Sequence, residues 1–285
     1  MRNISIITDS SSDLPVDFIN REEIKVISQN YHFDDGVEYG ENRHMEMNEF
    51  YERMRQGEAP KTSASSPDAA MKLLREELSK GNDVICVTLS SELSCTYNNI
   101  RLASLEVGEE YPEQNIAIID SLSASAGEGF LVYQACAMRK GGSSFADIVM
   151  YLEKHRDSFH IEFYVNDLKY LVRGGRLSAA AGAIGGIMGI KPILRLTEEG
   201  TIEVACKARK ASGAYTELKK RFLESKADPR MITIVHSDNL EQAIALKDEL
   251  QLEERFDQVL ITELGPTIGS HTGPKCLGIA YQKQH

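Results

Sequence analysis

The sequence predicts an α/β fold built on a mostly parallel sheet with helices on both faces. Three observations carry that prediction. Short β-branched, apolar runs alternate along the chain with amphipathic helical stretches. Several of those runs stop abruptly at clusters of Ser, Thr and Asp, as strands do where they turn into helices. The length of 285 residues leaves room for one large or two moderate domains with closed cores.

Residues 4–8 (ISIIT) read as the first strand, and Asp9-Ser10-Ser11-Ser12-Asp13-Leu14-Pro15 as the turn after it. Asp and Ser bond nearby backbone and cap helices, which is the role expected of Asp13. Asp9 stands at the carboxyl end of the strand, where open α/β sheets place ligands. Residues 24–33 (IKVISQNYHF) read as one strand, leading through Asp34-Asp35-Gly36 into Val37-Glu38-Tyr39. This predicts a small antiparallel insert over about 28–45, followed by a charged helix over 46–55. KTSASSP at 61–67 is a second hydroxyl-rich turn, with Ser66 and Pro67 opening the next helix.

Residues 84–88 (VICVT) form the next strand, and an amphipathic pattern begins near Ser94. Residues 116–119 are another strand; the long helix after it closes at Gly141-Gly142. Four hydroxyl-dense junctions, after Thr8, near Thr62, after Thr88 and after Asp120, are therefore expected to converge on one sheet edge. The second half begins around Phe159. It reads as a strand at 161–165, small residues at 179–189, a hairpin at 192–205 turning at Glu198-Glu199-Gly200, and a helix at 214–225. A strand at 231–236, a helix at 239–250, a last main strand at 256–262 and an irregular Gly/Pro loop complete it. The expected domains are 1–158 and 159–285, both α/β.

A formal charge of −11 argues against a general nucleic-acid or anionic-membrane binder. Local basic spots such as Lys207, Arg209 and Lys210 remain docking points. Neither a signal peptide nor a spanning helix is expected; the best stretch, 177–194, contains Lys191 and four glycines. The five cysteines are scattered, without a C-x-x-C pair or metal spacing to histidine, which predicts a reduced, cytoplasmic protein without a metal site.

The junction at 84–101 is the natural anion site: unpaired N–H groups, the positive end of a helix dipole and nearby hydroxyls meet there. The plain alternative is that Ser94 only caps the helix. His271, in a segment punctuated by Gly and Pro with three hydroxyls, is a second candidate, because loops carry most site residues. The small-residue run at 179–189 reads either as a tightly packed helix or as the wall of an apolar tunnel, with Ala183, Ile184, Ile187 and Met188 as wall residues. A serine hydrolase or acyltransferase using Ser94 and His271 is the enzymatic rival, but no G-x-S-x-G elbow is present.

Six segments, ITDSSSDLP (7–15), KTSASSP (61–67), LSSELSCTY (89–97), IIDSLSASAGEG (118–129), LKYLVRGGRLS (168–178) and GPTIGSHTGP (265–274), together resemble the DegV family, including the fatty-acid-binding subunits of bacterial fatty acid kinases. The resemblance implies a two-domain α/β protein holding a long-chain fatty acid between its domains, and not a catalyst on its own. It implies carboxylate contacts from Thr62, Ser94 and His271, with Ser63 and Ser91 added. It implies that Arg176 and Arg209 face the phosphate or the partner. It implies that a kinase subunit supplies ATP and Mg²⁺, while this chain presents the acid and carries the acyl phosphate away. The other reading left open is a lipid carrier or sensor without a kinase. Cys95 departs from the glycine usual in the family, and Lys275-Cys276 from its Gly-Ala.

Overall fold

The computed structural model describes residues 2–185 and 189–284. The first half contributes β1 (Ile4–Asp9), β2 (Lys25–Ile27), β3 (Asn30–His32), β4 (Glu38–Tyr39), β5 (Lys61–Ser63), β6 (Asp83–Thr88) and β7 (Ile116–Asp120). The second half contributes β8 (Phe159–Tyr164), β9 (Ile193–Leu196), β10 (Ile202–Cys206), β11 (Ala227–His236), β12 (Gln258–Glu263) and β13 (Leu277–Lys283).

Strands β2-β1-β6-β7 form a wholly parallel sheet. Parallel strands are covered on both faces, so they read as continuous apolar runs, and every residue of β6 is buried. Alternate residues serve separate cores. Ile7, Val84 and Cys86 pack under helices Pro67–Ser79 and Thr96–Glu110. Ile6, Ile85 and Val87 pack under helices Ala126–Lys140 and Phe145–His155.

The second sheet runs β10-β9-β8-β13-β11-β12 and is antiparallel except for the β11–β12 pair. The predicted last main strand is β12, at the edge. β13, which the sequence reading missed, lies in the middle, between β8 and β11. Its inward positions, Gly278 and Ala280, are too small to give a visible alternation. Gly278 sits where an added Cβ would come 2.7 Å from Phe163 Cβ, so the strand needs glycine there. Helix Ala126–Lys140 lies between the sheets: Phe130 and Leu131 share one core with Ile6, Ile85, Ile161 and Phe163. The two halves thus close on a common interior.

The antiparallel insert differs from its predicted form. The stretch 24–33 is two strands, because β2 joins the parallel sheet and β3 leaves it. β3 pairs with β4 on one side and with β5 on the other, so Thr62 lies on a strand and not in a βα turn. Three hydroxyl-rich junctions, not four, belong to the parallel edge. The expected loop at 265–274 is also corrected: Pro266–Thr272 is a short helix with proline in its first turn, and His271 stands in its last turn.

Candidate functional site: an apolar cavity with a polar end

One cavity draws its wall from the turns that follow the parallel strands and from strands of the other two sheets, with an atom-free volume of about 1060 Å³, mouth included. Leu89, Leu93, Ile161, Phe163, Leu196 and Ile268 are among its apolar lining. The hairpin that carries Leu196 and Ile202 is pinned over the parallel edge by Ser90, whose Oγ donates to the Gly200 carbonyl at 2.9 Å. Gly200 adopts φ 85°, and a Cβ there would lie 2.3 Å from that hydroxyl, which fixes glycine at the turn.

Thr62, Ser63, Ser94, Gln29, Arg176 and His271 line the same cavity. Thr62 Oγ1 and His271 Nε2 are 2.9 Å apart, joining residues 209 positions apart in the chain. Burial, together with Arg176 and Arg173, lowers the His271 pKa to about 4, so the imidazole is neutral near pH 7. Its close neighbour is Gly174, where a Cβ would meet Nδ1 at 2.1 Å. Arg176 is half-buried; its Nε donates to the Leu93 carbonyl at 2.8 Å and its Nη1 to Gly174. Burial pulls its pKa below the usual arginine value.

Ser94 stands one residue before the N-cap position, which Cys95 occupies without a side-chain cap bond. The Ser94 hydroxyl accepts from Thr96 N–H at 3.2 Å and shares a 2.9 Å bond with Thr96 Oγ1. Cys95 is exposed and lines the cavity. Ser91 is placed elsewhere. Its backbone N–H bonds Asp120 Oδ1 at 3.1 Å, and it is not among the residues of the cavity wall, so its assignment to the carboxylate gains no support there. Arg209 is exposed at the N-cap of helix Lys210–Glu224, away from the wall. Ile187 and Met188 lie outside the described residues, and so do the side chains of Ala183 and Ile184. The polar end was expected to rest on hydroxyls and histidine; the structure adds Gln29 and brings the Arg176 guanidinium to the same wall.

Below the cavity lies a carboxyl cluster that the sequence reading only half found. Asp9 is fully buried; its Oδ2 accepts Leu89 N–H at 2.9 Å and its Oδ1 accepts Ser11 N–H at 2.9 Å. Glu128, also fully buried, takes Thr8 Oγ1 at 2.8 Å and Ser11 Oγ at 3.0 Å. Ser11 Oγ also contacts Asp9 Oδ1, and one hydroxyl proton serves only one acceptor. The other contact needs a carboxylic proton. Burial pushes both the Asp9 and the Glu128 carboxyl up, so the pair shares that proton. Asp13 is the left-handed C-cap residue of the short helical turn Ser10–Ser12. It has φ 49°, and its Oδ1 accepts Gly265 N–H at 2.8 Å, just ahead of the helix bearing His271. Burial raises its pKa to about 7.

Among the described residues no group of three or more His, Cys, Asp or Glu is placed to hold a metal ion. Nor is any helix among them long and apolar enough to cross a membrane.

Comparison with known proteins finds relatives of the same fold. A DegV domain-containing protein of Clostridium perfringens is 32% identical over 287 aligned positions, covering 99% of this chain and 98% of its own. The structure of a fatty-acid-binding DegV family protein from Thermus thermophilus superposes with a TM-score of 0.88 at 30% identity, covering 100% of both chains. That of a stearic-acid-binding protein from Eubacterium ventriosum gives 0.88 at 26%, covering 99% of this chain and 98% of the other. The sequence profile of the family described as uncharacterised protein, DegV family, matches residues 3–284. The chain belongs to the DegV family.

Proposed function

We propose that the protein binds a long-chain fatty acid in this cavity and presents its carboxylate to a separate kinase subunit. The observation that carries the proposal is the cavity itself: an apolar wall that ends at Thr62, Ser94, His271 and Arg176. A buried carboxylate must receive hydrogen bonds or become neutral. Hydroxyls, a neutral imidazole and one guanidinium offer donors to it. Burial at about 0.8 kcal/mol per methylene lets a sixteen-carbon tail supply roughly 10 kcal/mol before the costs of binding. The tail then gives affinity and the polar end gives orientation.

In the kinase step a carboxylate oxygen attacks the terminal phosphorus of ATP and ADP leaves. Such transfers depend on positioning and charge stabilisation. The partner would bring ATP and Mg²⁺; Arg176 at the cavity and the exposed Arg209 are the cations this chain offers. A hydrolase reading gains nothing from the geometry, because His271 Nε2 is bonded to Thr62 and Ser94 Oγ to Thr96.

Native mass spectrometry followed by denaturation and lipid analysis tests the binding step. One long-chain acid per chain is expected. A purified protein that carries no lipid and takes up no stearate in equilibrium dialysis would overturn it. Adding the kinase and ATP should yield an acyl phosphate, trapped as a hydroxamate; its absence would reduce the role to a lipid carrier or sensor.

A further inference from the structure

We propose that Thr96, which lies outside the cavity wall, is a positioning residue that turns the Ser94 hydroxyl proton toward the ligand's head group. The proposal deepens the fatty-acid reading and rests on it. Thr96 is fully buried at the first position of helix Thr96–Glu110. Its Oγ1 accepts the Ser65 N–H at 3.2 Å and the Gln29 Nε2–H at 3.1 Å. The Gln29 amide is oriented in turn. Ser10 Oγ accepts the Gln29 backbone N–H at 2.9 Å and gives its own proton to Gln29 Oε1 at 3.4 Å. This leaves the NH₂ end of Gln29 facing Thr96.

A hydroxyl has two lone pairs and one proton. Both lone pairs of Thr96 Oγ1 are taken, so its proton goes to Ser94 Oγ, 2.9 Å away. Ser94 Oγ therefore accepts that proton and the Thr96 N–H at 3.2 Å. Its lone pairs are now filled as well. The Ser94 proton is left to leave toward the cavity that Ser94 lines. The relay, from Ser10 through Gln29 and Thr96 to Ser94, presents a donor only. It favours a head group that accepts, and an anionic oxygen most of all, since charge-assisted bonds are the strong ones.

The test uses delipidated full-length protein and two probes of equal length, stearate and octadecan-1-ol, each displacing a fluorescent fatty acid. Ser94→Ala and Thr96→Val should each lower stearate affinity about tenfold, and alcohol affinity by no more than about threefold. Thr96→Ser should restore wild-type binding, and Thr96→Val added to Ser94→Ala should change nothing further. Equal loss of both probes in Thr96→Val, or a full Thr96→Val loss persisting in the Ser94→Ala background, would overturn the proposal. If Thr96→Val does not fold, Thr96→Cys keeps the volume with a weaker donor and should show an intermediate, stearate-selective loss; wild-type binding there overturns it. A wild-type protein that binds neither probe would instead defeat the fatty-acid reading.

Discussion

The turn after β1 and the turn after β6 start alike. Each leaves a parallel strand, each carries three serines (Ser10, Ser11 and Ser12; Ser90, Ser91 and Ser94), and each leads toward a helix. In the first, every hydroxyl is spent on the protein. Ser10 serves Gln29, Ser11 the Asp9–Glu128 pair, and Ser12 the Asp9 carbonyl at 3.0 Å. In the second, Ser90 is spent on Gly200 and Ser91 is not in the cavity wall, while Ser94 is left at the cavity. The difference teaches that a hydroxyl keeps its proton free for a cavity when its neighbours have already filled its lone pairs. Residue type and position at the sheet edge are not enough.

The strongest way to break that contrast is at the first turn. Asp9→Ala leaves the buried Leu89 and Ser11 N–H groups without an acceptor and should cost about 3–5 kcal/mol of stability. Urea unfolding measures it; a variant within 1 kcal/mol of wild type would show that the turn is not structural. At the second turn, Ser94→Ala with Thr62→Ala should leave the fold intact and lower stearate affinity about 100-fold. Unchanged affinity in the dialysis measurement would remove the head-group assignment.

Acid dependence sharpens the contrast next. Asp13 is raised to about 7 from an ordinary 3.8, so between those values the folded chain holds a proton that the unfolded chain has lost. Its contribution to stability is complete at low pH and is lost as pH rises through that window, at about 1 kcal/mol per pH unit. His271, lowered to about 4 from 6.5, works in the opposite direction. The comparison is therefore between wild type and Asp13→Asn: the variant should lose the falling component between pH 5 and 7 in denaturation midpoints. Parallel curves for the two proteins would refute it. The smallest effect belongs to Ser91→Ala, which should change stearate affinity by less than about twofold, because the side chain is not in the wall. A tenfold loss would return Ser91 to the site.

Much of the fold was legible. The apolar runs gave β1, β6 and β7, and Glu198-Glu199-Gly200 gave the β9–β10 hairpin, because periodicity and turn chemistry are local properties. β13 was not legible: Gly278 and Ala280 carry no signal, and the smallness of Gly278 matters only against Phe163 and Val235 across the sheet. Gln29 and Glu128 were missed for a related reason. A polar residue inside an apolar strand or helix reads as an interruption until its partners, Thr96 and Thr8, are seen beside it.

By itself the sequence determined an α/β chain whose hydroxyl-rich turns gather at a sheet edge, and it pointed to Thr62, Ser94 and His271. The turns, Ser94 and His271 follow from residue type and spacing; Thr62 as a carboxylate contact follows from the resemblance to the DegV family. The tertiary structure alone decided that Thr62 arrives on an antiparallel strand, that Arg176 joins the polar end and that Ser91 does not. It also decided which serine keeps a proton for the cavity. Hydrogen-bond capacity is fixed by partners brought from far along the chain, as Ser65 and Gln29 are brought to Thr96 across 31 and 67 positions, and no local pattern records that meeting.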